Sequence, residues 1–278
     1  MCRWLAYTGP EIFMDDLLIK PQHSLIDQSL HAQMNFVPGK GKWTTNGDGF
    51  GLGWYGAREF PGLYRSIRPA WNDENLRNLA QQIRSGLFFA HVRAASPGIE
   101  VQRTNSHPFL FQNWLFQHNG DVGDFWLMRR DMQCAVAPEL FPYIRGATCS
   151  ETLFYLLLTY GLEKDPLGAM QRVAGEVERL RARYHVDMPA FLTLSVTNGR
   201  VIYALRYSSH HESKTLFYSR NLRAIRELDG DYEAIPEGAQ ILVSEPLDSL
   251  SDDWKLVPES SFIIMQDGEV ETIPFEVG

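Results

Sequence analysis

Short apolar runs separated by turn formers dominate the chain. Residues 4–7, 50–55, 87–92 and 114–117 are apolar or aromatic and bounded by Gly, Pro or Asn, which predicts strands. Residues 191–196 and 201–205 flank Asn198-Gly199, which predicts a hairpin with a type I′ turn. Further strands are predicted at 216–218, 241–243 and 262–265. Helical spacing occurs in three segments. Segment 72–84 places Leu76, Leu79 and Ile83 on one face, and segment 150–160 opens on Ser150 and carries Leu153, Phe154, Leu157 and Leu158. Segment 166–184 carries Met170, Val173, Val177 and Leu180. Strands and helices do not alternate as βαβ units. The pattern therefore predicts an α+β fold of antiparallel sheets with helices packed outside. No repeat or low-complexity linker divides the chain, so one domain over 1–278 is expected.

Composition narrows the class. Hydrophobic residues make up 44% and charged residues 22% of 278, enough for an ordinary core without disulfides or metals. The net charge of −8 argues against a nucleic-acid partner. Arg179, Arg181 and Arg183 alternate with Glu176, Glu178 and Leu180 and read as a solvated helix face. No apolar run approaches the ~18 residues of a membrane helix, the strongest being 152–160, and the start lacks an apolar secretory region. Cys2, Cys134 and Cys149 are an odd, sparse set, which fits free thiols in a reducing, cytoplasmic setting.

Five segments carry candidate chemistry. Removal of Met1 would leave Cys2 with a free α-amine, which titrates near ~7.7–8.0 and could serve as base for its own thiol; a chance cysteine at the terminus is the plain alternative. In Gln117-His118-Asn119-Gly120-Asp121, placed where a strand ends, the Asn119 amide and Gly120 N–H could hold an oxyanion, or the pair could be a turn. Arg93, at the end of an apolar strand among small residues, could clamp a carboxylate, or stand at the surface. His107, in Asn105-Ser106-His107-Pro108, could bind substrate or hold a loop. His91, His107 and His118 lack metal-ligand spacing, and His210-His211-Glu212 reads as an exposed loop. The run 46–56 alternates Gly47, Gly49, Gly51 and Gly53 with larger residues. No helix pattern follows it, so it fails as a dinucleotide loop and suits close backbone approach. No cofactor motif is present.

The order of these segments resembles the class II glutamine amidotransferase domain: Met1-Cys2-Arg3, Asp48-Gly49-Phe50-Gly51, His91-Val92-Arg93, Asn105-Ser106-His107-Pro108, His118-Asn119-Gly120. Pro21-Gln22-His23-Ser24-Leu25, Gln28-Ser29 and Ser244-Glu245-Pro246-Leu247 look like its stand-alone branch, which includes an ergothioneine-pathway γ-glutamyl hydrolase and the amidotransferase-like subunit of a glutathione-degrading complex. The resemblance implies a four-layer αββα N-terminal-nucleophile sandwich of two antiparallel sheets. It implies Cys2 as nucleophile with its α-amine as base, and Asn119 and Gly120 as oxyanion hole. Arg93 would hold the substrate α-carboxylate, with His107 and Asp48 in the same pocket. The implied reaction is cleavage of a glutamine or γ-glutamyl amide through a thioester, with ammonia or an amine released, in some cases to a partner subunit.

Two departures stand out. In Gly146-Ala147-Thr148-Cys149-Ser150-Glu151 the family usually has Asp where this chain has Cys149, and that Asp binds the substrate ammonium. Either free glutamine then binds poorly, or Glu151 or another carboxylate takes the place of that Asp; a local shift in the alignment is the plain alternative. Thr45-Asn46-Gly47 also replaces an Arg-Gly pair of the synthetase-linked members. A catalytically silent scaffold or regulatory subunit, favoured by Cys149, is the competing reading. A redox-sensing thiol protein is a third, though the cysteine spacing shows no resolving pair.

Overall fold

The computed structural model describes residues 2–37, 41–219, 236–248 and 253–278. Met1, whose removal the sequence reading expects, lies outside them. The strands are β1 (Arg3–Phe13), β2 (Phe36–Val37), β3 (Gly41–Lys42), β4 (Phe50–Tyr55), β5 (Gly62–Ser66), β6 (Arg84–Val92), β7 (Phe109–Phe111), β8 (Trp114–Val122), β9 (Ala190–Thr197), β10 (Ile202–Ser208), β11 (Phe217–Ser219), β12 (Gln240–Val243), β13 (Trp254–Leu256), β14 (Ser261–Gln266) and β15 (Glu269–Pro274). The helices are α1 (Asp15–Leu18), α2 (Leu25–His31), α3 (Glu74–Ala80), α4 (Phe125–Cys134), α5 (Cys149–Thr159) and α6 (Pro166–Arg183). None of the described helices is long and apolar enough to cross a membrane.

Two antiparallel sheets face each other. The first has order β13-β11-β12-β1-β6-β4-β5 and the second β15-β14-β10-β9-β8-β7; β2 and β3 form a separate ribbon. Strand alternation divides the apolar side chains among three cores. Trp4, Ala6, Leu87 and Phe89 of the first sheet meet Leu115, Ile202, Ala204 and Ile263 of the second. On the outer face of the first sheet, Leu5, Tyr7, Phe50 and Phe88 pack under α1, α2 and α3. On the outer face of the second, Phe116, Leu192, Leu194 and Val196 pack under α4, α5 and α6. The result is the αββα arrangement that the resemblance implied.

The alternating glycines of β4 explain how closely the layers approach. Phe50 and Leu52 point outward into the helical layer. Gly51 points the other way, where a Cβ would lie 2.1 Å from the His107 carbonyl oxygen. Only a residue without a side chain fits there, so the first sheet can press directly against the segment that carries His107.

Several predicted elements differ in extent. The helix read over 72–84 ends at Ala80, because residues 81–83 turn the chain into β6. The Asn198-Gly199 hairpin forms, but not as a type I′ turn. Its last strand pair is Thr197 with Ile202, and only Gly199 of the dipeptide has positive φ, at 88°. The Asn198 side chain instead accepts from the amides of Arg200 and Val201. Arg181 is not part of a solvated face. It is buried and donates to the carbonyls of Met188 and Val186 and to Glu178.

A buried charged clasp anchors the start of β1. The Glu245 carboxylate accepts from the amides of Gln33 and Met34 and from His23 Nε2 at 2.6 Å, and lies 3.5 Å from Arg3 Nε. His23 Nδ1 is 2.7 Å from Asp27 Oδ2. With a carboxylate at each ring nitrogen, both nitrogens donate and the ring is an imidazolium. Burial opposes that charge, but the bonds to Glu245 and Asp27 outweigh it and raise the His23 pKa. Its stabilising contribution is therefore complete below the unfolded value near ~6.5 and lost as pH rises through the raised folded value. Urea unfolding should show stability falling as pH rises above the unfolded histidine value near ~6.5, with His23→Gln flattening the fall. Equal pH slopes in both proteins would remove the clasp from the account.

Candidate active site

One cleft of about 600 Å³ opens at an end of the inter-sheet layer, and Cys2, Arg93, His107, Gly120 and Cys149 all line it. Cys2 immediately precedes β1, in the middle of the first sheet. Its Sγ is 3.7 Å from the Ala94 carbonyl oxygen. Arg93 follows directly on β6, the neighbour of β1, and is 3% exposed. Its guanidinium donates to the carbonyls of Asp48 and Glu100, both at 3.3 Å. No carboxylate forms a salt bridge with it among the described residues. Burial lowers its pKa, though not enough to neutralise an arginine. A buried guanidinium held by neutral carbonyls is an open berth for an anion.

Asn119 and Gly120 are not at a strand end. β8 runs through them, with Asn119 paired to Thr193 and Gly120 to Leu192 of β9. Pairing with β9 overrides the turn preference of Asn-Gly. The Asn119 side chain is fully buried, yet neither its Oδ1 nor its Nδ2 has a partner among the described residues. Burying an unpaired amide costs roughly 1–3 kcal/mol, so the folded state keeps it at a price that a ligand would relieve. At Gly120 a Cβ would sit 1.9 Å from the Phe191 carbonyl oxygen, so no side chain fits.

A row of neutral histidines backs the cleft. His118 Nε2 lies 2.8 Å from the Phe191 carbonyl and must donate, which leaves Nδ1 to accept from Ser150 Oγ at 2.9 Å. Burial pushes its pKa down to about 4. His91 Nε2 donates to the His118 carbonyl at 3.2 Å, and burial takes its pKa to about 3. His107 stacks on His91 with centroids 4.2 Å apart and has no partner at either ring nitrogen. Burial keeps it well below the usual histidine range. No set of three or more His, Cys, Asp or Glu among the described residues could hold a metal.

Three of the sequence candidates are not among the residues that line the cleft: Asn119, which stands beside Gly120 on β8, and Asp48 and Glu151. The Asp48 carboxylate accepts from the Ala95 amide at 2.8 Å and ties down the loop after Arg93. Glu151 faces the loop before α5 and does not line the cleft. Its oxygens accept from the Arg145 and Gly146 amides, and Thr148 caps α5 by accepting from the Glu151 amide. Cys149 is the first residue of α5, and its thiol donates to Asp121 Oδ1 at 3.7 Å.

Asp121 is the carboxylate that sequence reasoning passed over. It lines the cleft with Cys149, and burial raises its pKa, so the charged form wants a cation. Directly across the ladder is Phe191, over whose ring Lys214 stands at 4.0 Å. Burial lowers the Lys214 pKa to about 8. The signal for Asp121 was its place two residues beyond Asn119 on one strand, hence on the same face. It was lost when the segment was read as a strand end.

With this geometry in view, comparison with known proteins is direct. The sequence profile of the class-II glutamine amidotransferases matches residues 14–276. The probable glutamine amidotransferase DUG3 of Saccharomyces cerevisiae is 32% identical over 298 residues, covering 96% of this chain and 82% of that protein. The gamma-glutamyl-hercynylcysteine sulfoxide hydrolase of Mycolicibacterium smegmatis is 26% identical, covering 99% and 100%. A solved glutamine aminotransferase class-II domain protein from Silicibacter pomeroyi superposes with a TM-score of 0.74 at 32% identity, covering 99% of each chain.

Proposed function

The chain belongs to the class-II glutamine amidotransferase family, whose members hydrolyse amides, and from that premise we propose that it cleaves γ-glutamyl amides by attack of Cys2. The observation that carries this reading is the unpartnered, fully buried Asn119 amide, on a strand whose next residue shares one cleft with Cys2 and Arg93. Once Met1 is removed, the Cys2 α-amine, titrating near ~7.7–8.0, takes the thiol proton. The thiolate adds to the γ-carbonyl carbon, and the Asn119 Nδ2 and Gly120 N–H hold the oxyanion. The C–N bond breaks, the amine leaves with the proton, and a γ-glutamyl thioester remains. Water then adds to the thioester and the C–S bond breaks, giving glutamate and free Cys2. The histidine row, neutral at physiological pH, adds no competing positive charge behind Arg93.

The γ-glutamyl head carries one carboxylate and one ammonium. Arg93 meets the first and Asp121 the second, with the Cys149 thiol keeping Asp121 in place. Asp121→Asn removes a charged hydrogen bond worth about 1.5–3 kcal/mol, so KM for glutamine should rise about 10–100-fold. Hydrolysis of the des-amino amide 4-carbamoylbutanoate, followed by ammonia release, should change little. An equal loss on both substrates would reject Asp121 as the ammonium partner. Absence of glutamate release from every γ-glutamyl amide by the processed chain would reject the hydrolytic reading itself.

A further inference from the structure

Among the described residues, three hydrogen bonds run from one sheet to the other on the segments that carry Cys2 and Asn119. Gln117 Nε2, on β8, donates to the Leu5 carbonyl of β1 at 3.1 Å. His91 Nε2, on β6, donates to the His118 carbonyl of β8 at 3.2 Å. Trp4 Nε1, on β1, donates at 3.4 Å to the carbonyl of Thr193, the ladder partner of Asn119. Of the three, the Gln117 bond alone joins β8 directly to β1. Strand alternation puts Gln117 on the same face as Leu115 and Asn119. It is fully buried, and Leu115 belongs to the apolar layer between the sheets. Its Nε2 also donates to Ser195 Oγ, directly across the ladder, at 3.1 Å. Its Oε1 has no partner among the described residues. An amide buried with one end unsatisfied costs stability that a methionine of similar length would not. What the amide supplies instead is a directional link of fixed length between two strands.

We propose that Gln117 is a positioning residue: its bond to Leu5 sets the distance from the Cys2 thiol to the oxyanion donors of Asn119 and Gly120. The inference rests on the reading of Cys2 as nucleophile. Both halves of that reaction place negative charge on the same carbonyl oxygen, first when the thiolate adds and again when water adds to the thioester. A shift of β8 against β1 therefore weakens the donors in both steps. Arg93 follows β6 in the first sheet, the sheet that Cys2 leads into, so its hold on the substrate carboxylate is independent of that shift.

The substrate for the test is 4-carbamoylbutanoate, which offers Arg93 a carboxylate and Asp121 nothing. Gln117→Met should lower its kcat about tenfold, part of the roughly 10²-fold that about 1 Å of misplacement costs, with KM and the urea midpoint held. Should that variant fail to fold, Ser195→Ala carries the test: it deprives the Gln117 amide of its second acceptor and should show a smaller loss of the same kind. Tyr55→Phe is the control. Tyr55 Oη crosses to the second sheet at the opposite end of β8, donating to the Asn113 and Thr197 carbonyls at 2.5 and 3.1 Å, so its loss should lower the urea midpoint and leave kcat alone. An unchanged kcat in the Gln117 and Ser195 variants, a KM or a urea midpoint that worsens in step with kcat, or an equal kcat loss in Tyr55→Phe would overturn the role. An inactive processed wild type would defeat the reading of Cys2 and the proposal with it. An active wild type beside unaffected variants would defeat the proposal alone.

Discussion

Cys2→Ala is expected to lower glutamate release from γ-glutamyl amides by at least about 10⁴-fold, since it removes the proposed nucleophile and no other thiol stands beside Arg93 among the described residues. Cys149 lines the same cleft, but burial and the neighbouring Asp121 carboxylate push its pKa far above that of an ordinary thiol, so it has no nucleophilic form to offer. The fold should persist, because Cys2 precedes β1 and the one hydrogen bond its side chain makes among the described residues is the long one to Ala94. A glutamine-shaped diazo-ketone should add once to the processed wild type, at Cys2, as read by intact mass and peptide mapping. Turnover retained in Cys2→Ala, or an adduct mapped to Cys149, would transfer the chemistry to a different group.

Asn119→Ala is expected to cost about 10²–10³ in kcat with little change in KM, the mark of a donor that matters only when charge develops on the carbonyl oxygen. The same change removes an unsatisfied buried amide, so the variant should be no less stable and could gain up to about 1–3 kcal/mol in urea unfolding. Lower activity with higher stability is what a preorganised donor produces. Lower activity with lower stability would instead make Asn119 a structural residue whose partners had been overlooked.

Much of this was legible in the chain because it depends on local pattern. The β-rich core showed in the apolar runs, and α5 and α6 lie within a residue or two of their predicted bounds. α4 escaped notice although Phe125, Met128 and Met132 are buried along one side of it. The exposed Trp126 and Leu127 blur that stripe, and of the two Trp126 lines the cleft. Two errors at the site share one cause. Asn119 and Gly120 were placed at a strand end, and Asp121 was overlooked, because a strand's length is set by its partner, here β9, about seventy residues away. For Glu151 the cause is different: sequence distance makes it a plausible carboxylate, and only the folded loop reveals that it accepts from two backbone amides away from the cleft.

Cys2 leads directly into the first sheet and Asn119 lies in the second, with the layer of Trp4, Phe89, Leu115 and Ile263 between the sheets. The two halves of the proposed chemistry thus ride on separate plates, and the thickness of that apolar layer acts as the shim that gauges the gap between them. Interior packing of this kind is nearly incompressible. The drift open to those four side chains over evolution is therefore narrower than folding alone demands. Exchanges that keep the layer's depth pass unnoticed, whereas ones that thin it detune the reaction before they unfold the chain.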